Sequence, residues 1–130
     1  MTEHPNATLI RRGYQAFSAG DVASLSELIA TDAVQHMPGH NEFSGDHRGR
    51  DEILKMYGQL AERTGGSFKV ELEEIYANDD QVVTVYHATG DRAGHHLDTR
   101  HALVFKMRGE EAVDLNDVAM DVATDDAFWN

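Results

Sequence analysis

The chain has 130 residues, enough to bury a core in a single domain spanning residues 1–130, and its 41% hydrophobic and 26% charged content is that of a soluble globular protein. A formal net charge of -12 argues against nucleic acid and anionic membrane surfaces as partners, since both are recognised through Lys and Arg. The absence of cysteine excludes a disulfide, a thiolate nucleophile and a Cys-based zinc site. The N-terminal stretch MTEHPNATLIRRGY has no apolar h-region and no apolar run reaches the length of a membrane span, so a cytoplasmic location is expected.

In chain order, Pro5 suits the first turn of a helix, and Ile10, Tyr14 and Phe17 recur on one apolar face. Gly20 ends that helix, and Asp21 can cap a shorter second one whose buried side is Leu25, Leu28 and Ile29. Val34–Met37 reads as a short strand stopped by Pro38-Gly39, followed by a Gly- and Asn-rich loop. A third helix starts at Asp51, carries the stripe Ile53, Leu54, Tyr57, Leu60 and Ala61, and ends at Gly65-Gly66.

The period then changes from 3.6 to 2. Phe68, Val70 and Leu72 alternate with Lys69, Glu71 and Glu73. Asn78–Asp80 and Gly90–Gly94 are turns on either side of a strand over Val82–Thr89. A long strand runs from His95 to Arg108, Gly109-Glu110 turns the chain, and a last strand runs from Ala112 to Asp121. The apolar pair Phe128-Trp129 is expected to pack back onto the body. Three helices followed by a meander of long antiparallel strands is an α+β layout. Strands of this length twist and curl, and a strongly curved sheet closed by helices leaves a cone with a pocket inside.

The chain resembles the SnoaL-like, polyketide cyclase-like branch of the nuclear transport factor 2-like, or ketosteroid isomerase-like, superfamily along nearly its whole length. The residues that carry the resemblance are Ala19-Gly20-Asp21, Asp32-Ala33-Val34, Pro38-Gly39, Phe43-Ser44-Gly45, Gly49-Arg50-Asp51, Ala77-Asn78-Asp79-Asp80 and the terminal Phe128-Trp129. The resemblance implies a cone-shaped α+β barrel, a homodimer through the outer face of the sheet, no cofactor, and a pocket for a small, largely apolar molecule. Relatives include polyketide cyclases, ketosteroid isomerase, limonene epoxide hydrolase, dehydratases and plain binding proteins.

Alternation sorts the candidate residues. On the long strand Leu97, Thr99, His101, Leu103, Phe105 and Met107 share a face that should look inward, so His101 sits in an otherwise apolar row. On the last strand Val113, Leu115, Asp117, Ala119 and Asp121 share a face. A carboxylate among apolar side chains is costly to ionise, which is the setting for a general acid or base near neutral pH. Asp117 also falls where the resemblance places an acidic residue, in the cyclases the base that takes a proton from a carbon acid. The competing placement is a solvated strand end, with Asp117 paired to Arg100.

His87 and Thr89 share a strand face with Val83 and Val85, and His87 is a candidate to hydrogen-bond and orient Asp117. These two positions fall where the epoxide hydrolase carries an Arg and an Asp that hold water, and neither is kept. The tyrosine of the isomerase's oxyanion hole maps to Gly13, with Tyr14 one position, or about 100°, further round the helix. The isomerase's base maps to Met37, which takes no proton. The expected pocket walls are Tyr14, His36 at the mouth, Met37, Phe43, Tyr57, Leu103, Phe105 and Trp129.

No metal site is expected. His36 and His40 are separated by Pro38-Gly39, which forbids an aligning helix, and the adjacent His95 and His96 point to opposite faces. The acidic run Asp114, Asp117, Asp121, Asp125 and Asp126 is split between faces and reads as a solvated edge. Two functions stay open: an acid/base enzyme on a small apolar carbonyl or epoxide compound, with Asp117 as base and His87 or His101 as its partner, and a non-catalytic binding or dimeric accessory module.

Overall fold

The first helix, α1 (Pro5–Ala19), is opened by Pro5 in its first turn and closed by Gly20 in the left-handed region at φ 68°. The carboxylate of Asp21 then accepts from the Ser24 N–H and opens α2 (Val22–Leu28). β1 (Ile29–Met37) follows without a loop, β2 (Gly45–Arg48) turns back along it, and α3 (Arg50–Arg63) starts with Asp51 and Glu52 in its first turn, where the helix dipole favours acid. β3 (Lys69–Ala77), β4 (Gln81–Arg92), β5 (His95–Arg108) and β6 (Glu111–Ala119) form the meander, and α4 (Val122–Trp129) ends the chain. The computed structural model describes residues 2–130.

The sheet order is β2-β1-β6-β5-β4-β3. All neighbours are antiparallel except β1 and β6, which run parallel. Register shifts between Leu72 and Glu74 and between Lys106 and Met107 bend the meander, because an extra residue on one strand sharpens its twist. The sheet stays open, with β2 and β3 as its edges, and curls round a core built from Ile10, Ile29, Ile53, Met56, Leu97 and Leu115. α1 lies against β3 and α2, α3 against β1, and α4 against β5. This is the α+β cone expected from the sequence.

Three details correct that expectation. β1 begins at Ile29 rather than Val34, since the apolar Ile29 and Ala30 already sit in the core. Gly45–Arg48, expected as loop, is an edge strand; it is short and polar, as edge strands that avoid further pairing are. The tail forms a fourth helix. Asp121 caps it, accepting from the Thr124 N–H at 3.2 Å and from the Thr124 hydroxyl at 2.7 Å, and its three terminal apolar residues gave no helical stripe to read.

Candidate active site

The concave face of the sheet and the helices enclose a cavity of about 110 Å³. Its wall is mostly apolar, with Tyr14, Gln35, Tyr57, Tyr86, His101 and Asp125 as its main polar members. The Tyr14 hydroxyl lies 2.7 Å from that of Thr84, and the Tyr57 hydroxyl donates to Gln35 Oε1 at 2.5 Å. Burial raises both phenols above their ordinary pKa, so each is a neutral, satisfied group in the wall.

One polar cluster stands at this wall. His101 Nδ1 donates to Asp117 Oδ1 at 2.5 Å, and the Tyr86 hydroxyl donates to Asp117 Oδ2 at 2.5 Å. On the other side of the ring, His101 Nε2 donates to Asp125 Oδ1 at 3.1 Å. Carboxylates only accept, so each ring nitrogen needs its own proton and the ring is an imidazolium. Burial pulls the His101 pKa down, but the bonds to Asp117 and Asp125 outweigh it and push the group up to about 9. The Tyr86 ring stacks on the imidazolium, centroids 5.2 Å apart, which suits a cation on an aromatic face. Burial and the adjacent Asp117 charge hold the Tyr86 phenol well above its ordinary pKa.

Strand geometry explains the cluster. Tyr86 and His101 are direct cross-strand partners of β4 and β5, so their side chains share a face. Asp117 of β6 lies opposite Leu103, two residues along from His101, a diagonal neighbour within reach. α4 brings Asp125 to the open side of the ring. The alternation on β5 and β6 thus places His101 and Asp117 inward, and Arg100 pairs with Glu73 on the other face rather than with Asp117.

The other sequence candidates divide. Tyr14, Met37, Tyr57, Leu103, Phe105 and Trp129 line the cavity. Phe43 is buried behind that wall, its ring 4.9 Å from the Trp129 ring, and does not line the cavity. His36 is not at the mouth. It projects from the opposite face of β1 and bridges Asp46 at 2.6 Å and Asp114 at 2.8 Å, which together raise its pKa. His87 does not orient Asp117: the buried row of β4 is Val82, Thr84, Tyr86 and Ala88, so His87 faces out and bonds Asp98 at 2.5 Å. The acidic run is not a solvated edge, because Asp117 and Asp125 are 4% and 5% exposed. Asp126 accepts from the His40 N–H and the Asn41 amide, tying α4 to the loop after β1.

Sequence reasoning missed Gln35, Tyr86 and Asp125. Tyr86 was obscured because both rows of β4 are apolar. The two-residue turn Ala93-Gly94, with φ 50° and 81°, was the available signal: it pairs Arg92 with His95 and, counted back, Tyr86 with His101.

The sequence profile of the SnoaL-like domain matches residues 10–115. The chain belongs to the SnoaL-like family. An uncharacterised protein of Mycobacterium tuberculosis (strain H37Rv) is 35% identical to this SnoaL-like chain over 130 residues, 99% of each. Among solved structures, Bal32a from a soil-derived mobile gene cassette superposes with a TM-score of 0.94 at 36% identity over 96% of both chains. IdmH of Streptomyces antibioticus, described as a proposed polyketide cyclase, has a TM-score of 0.77 at 24% identity, covering 93% of this chain and 96% of that one, and shares the fold. No helix among the described residues is long and apolar enough to cross a membrane.

Proposed function

We propose that this SnoaL-like protein binds a small, largely apolar carbonyl or epoxide compound in the cone and acts on it by acid/base chemistry of the cyclase, isomerase or hydrolase kind, without a cofactor. The observation that carries this is the His101–Asp117 ion pair in the wall of an apolar hollow, with His101 8% and Asp117 1% exposed at the side chain. Asp117 is the anionic half: both its oxygens are engaged, and it fixes the ring and keeps it charged. His101 is the acid: its Nε2 proton, held by Asp125 at 3.1 Å rather than by Asp117 at 2.5 Å, is the one released from Asp125 to the oxygen of a bound carbonyl or epoxide. Structures described as proposed polyketide cyclases share the fold, which is compatible with this class of reaction.

The test is a panel of small ketones and cyclic epoxides followed by NMR in deuterated buffer, scoring exchange next to the carbonyl and ring opening. Wild-type protein should accelerate at least one of them, and His101→Gln and Asp117→Asn should lower that rate by about 10²-fold or more. Equal rates in wild type and His101→Gln would remove the acid/base role.

A binding module is the second reading, and cavity size favours it: 110 Å³ falls short of the roughly 300 Å³ of a typical ligand site. Ligand binding with no turnover of any compound would decide for it. We also propose that two copies pair through the outer sheet face. There Val85, Ala102 and Val118 stand directly opposite one another across three strands, beside Val83 and Val104.

A further inference from the structure

Asp125 is the one ionised group of the cluster with an idle oxygen. Asp117 Oδ1 takes the His101 Nδ1–H and Oδ2 takes the Tyr86 hydroxyl. Both His101 nitrogens are engaged. Asp125 Oδ1 takes the Nε2–H, while Oδ2, 3.0 Å from the same nitrogen, receives no hydrogen bond. Among the described residues only one other buried side-chain atom lacks a partner, Thr99 Oγ1, and Thr99 does not line the cavity. Asp125 does, and its side chain is 7% exposed.

A buried carboxylate oxygen without a donor is costly, and the cost falls only when something in the hollow donates to it. No phenol of the wall is free to donate to it. The Tyr14 and Tyr57 hydroxyls are committed to Thr84 and Gln35, and the Tyr86 hydroxyl to Asp117.

We propose that Asp125 is the ligand-facing polar anchor of the cavity: its Oδ2 accepts a hydrogen bond from a hydroxyl group on an otherwise apolar ligand. The occupant is therefore a small apolar molecule that carries a hydroxyl, as an alcohol, phenol or enol, beside any carbonyl or epoxide it presents to His101, rather than a pure hydrocarbon. This rests on the reading of the cone as a small-molecule site, but not on any catalytic step. A single-ring probe is the largest worth testing: about 150 Å³ holds benzene, so a hollow of about 110 Å³ must give a little to admit one.

The experiment compares p-cresol with toluene, which differ by the hydroxyl alone, by calorimetry or NMR titration. Wild-type protein should bind p-cresol about tenfold more tightly than toluene or better, as expected for a hydrogen bond to a charged acceptor. In Asp125→Leu the preference should vanish or invert. In Asp125→Asn it should shrink to about twofold, because the amide oxygen stays with His101 and its NH₂ faces the hollow. In wild type, independent of any variant, p-cresol should move the 15N resonance of His101 Nε2 more than toluene does.

A p-cresol preference that persists unchanged in Asp125→Leu, with the His101 resonance unmoved, overturns the anchor and leaves the pocket reading standing. Equal affinity of wild type for the two probes does the same. Failure of both probes to bind wild type overturns the anchor and the small-molecule site together.

Discussion

His101 and Asp117 meet at 2.5 Å because β6 is shifted by one residue from the register that the Gly109-Glu110 turn alone would impose. That turn pairs Arg108 with Glu111, and an unbroken ladder from it would set Asp117 opposite Ala102, on the outward face. The bulge between Lys106 and Met107 moves Asp117 to face Leu103, so its carboxylate points into the cone. Val113 is the residue of β6 left without a partner, and deleting it should straighten the ladder while keeping Asp117 opposite Leu103, so the cluster should survive. A His101 in that variant that no longer titrates above its ordinary range, read by NMR, would count against this register.

Stability should fall as pH rises through the alkaline range. The folded pKa of His101 is about 9 against 6.5 for the free side chain. A raised folded pKa means the native state holds its proton more tightly, so the stabilisation is fully present below pH 6.5 and lost as pH rises through 9. The shift corresponds to about 3 kcal/mol. His36, raised by Asp46 and Asp114, adds a dependence of the same sign. Urea midpoints from pH 6 to 10 should therefore decline for wild type, more weakly for His36→Asn, and far more weakly for His101→Gln. A wild-type midpoint constant over that range would refute the imidazolium.

Tyr86→Phe should cost about 1–3 kcal/mol, because it leaves a buried carboxylate oxygen without its donor. A carboxylate relieved of that hydrogen bond attracts the imidazolium proton more strongly. His101 should then titrate higher in the variant than in wild type, by NMR, even though the fold is weaker. Opposite signs for stability and for the His101 pKa distinguish this from a simple packing defect.

The fold was largely legible because its signals are local. Gly20, Asp21 and Gly49-Arg50-Asp51 punctuate the helices, and alternation on β5 and β6 marks the inner faces that carry His101 and Asp117. What stayed hidden depends on tertiary pairing. Val82–Thr89 is apolar on both faces, so its phase follows only from the Ala93-Gly94 turn, and the wrong phase promoted His87 over Tyr86. Asp125 looked like one more surface acid, because nothing in a stretch reading Asp121, Asp125, Asp126 says that α4 folds back over β5 and buries one of the three.

Gly39 tests how that last helix is held. It sits at φ 86°, and a methyl group there would press on the Asp126 carboxylate and Val122 of α4. Gly39→Ala thus combines left-handed backbone strain with a collision against the contact that joins α4 to the loop after β1. A loss of about 2–4 kcal/mol is expected from the two together, with enhanced hydrogen exchange concentrated in α4. Gly65→Ala, also left-handed at φ 59° but with open space around it, should lose less and leave α4 protection unchanged.

The outer face of the sheet gives the final prediction. Val118 is 48% exposed and lies opposite Ala102, which lies opposite Val85, so three strands present one continuous apolar row. Tyr76, 60% exposed and paired with Val83, extends it towards the β3 edge. Contiguous exposed apolar surface is the kind that a second copy would cover, as proposed above. Sedimentation should give a mass of two chains for the wild type. Val118→Lys puts a charge at the β6 end of the row and should shift the distribution towards one chain at micromolar concentration, while leaving the His101 titration in place because that group faces the other side of the sheet. A wild type that sediments as a single chain would leave the row without a second copy to cover it.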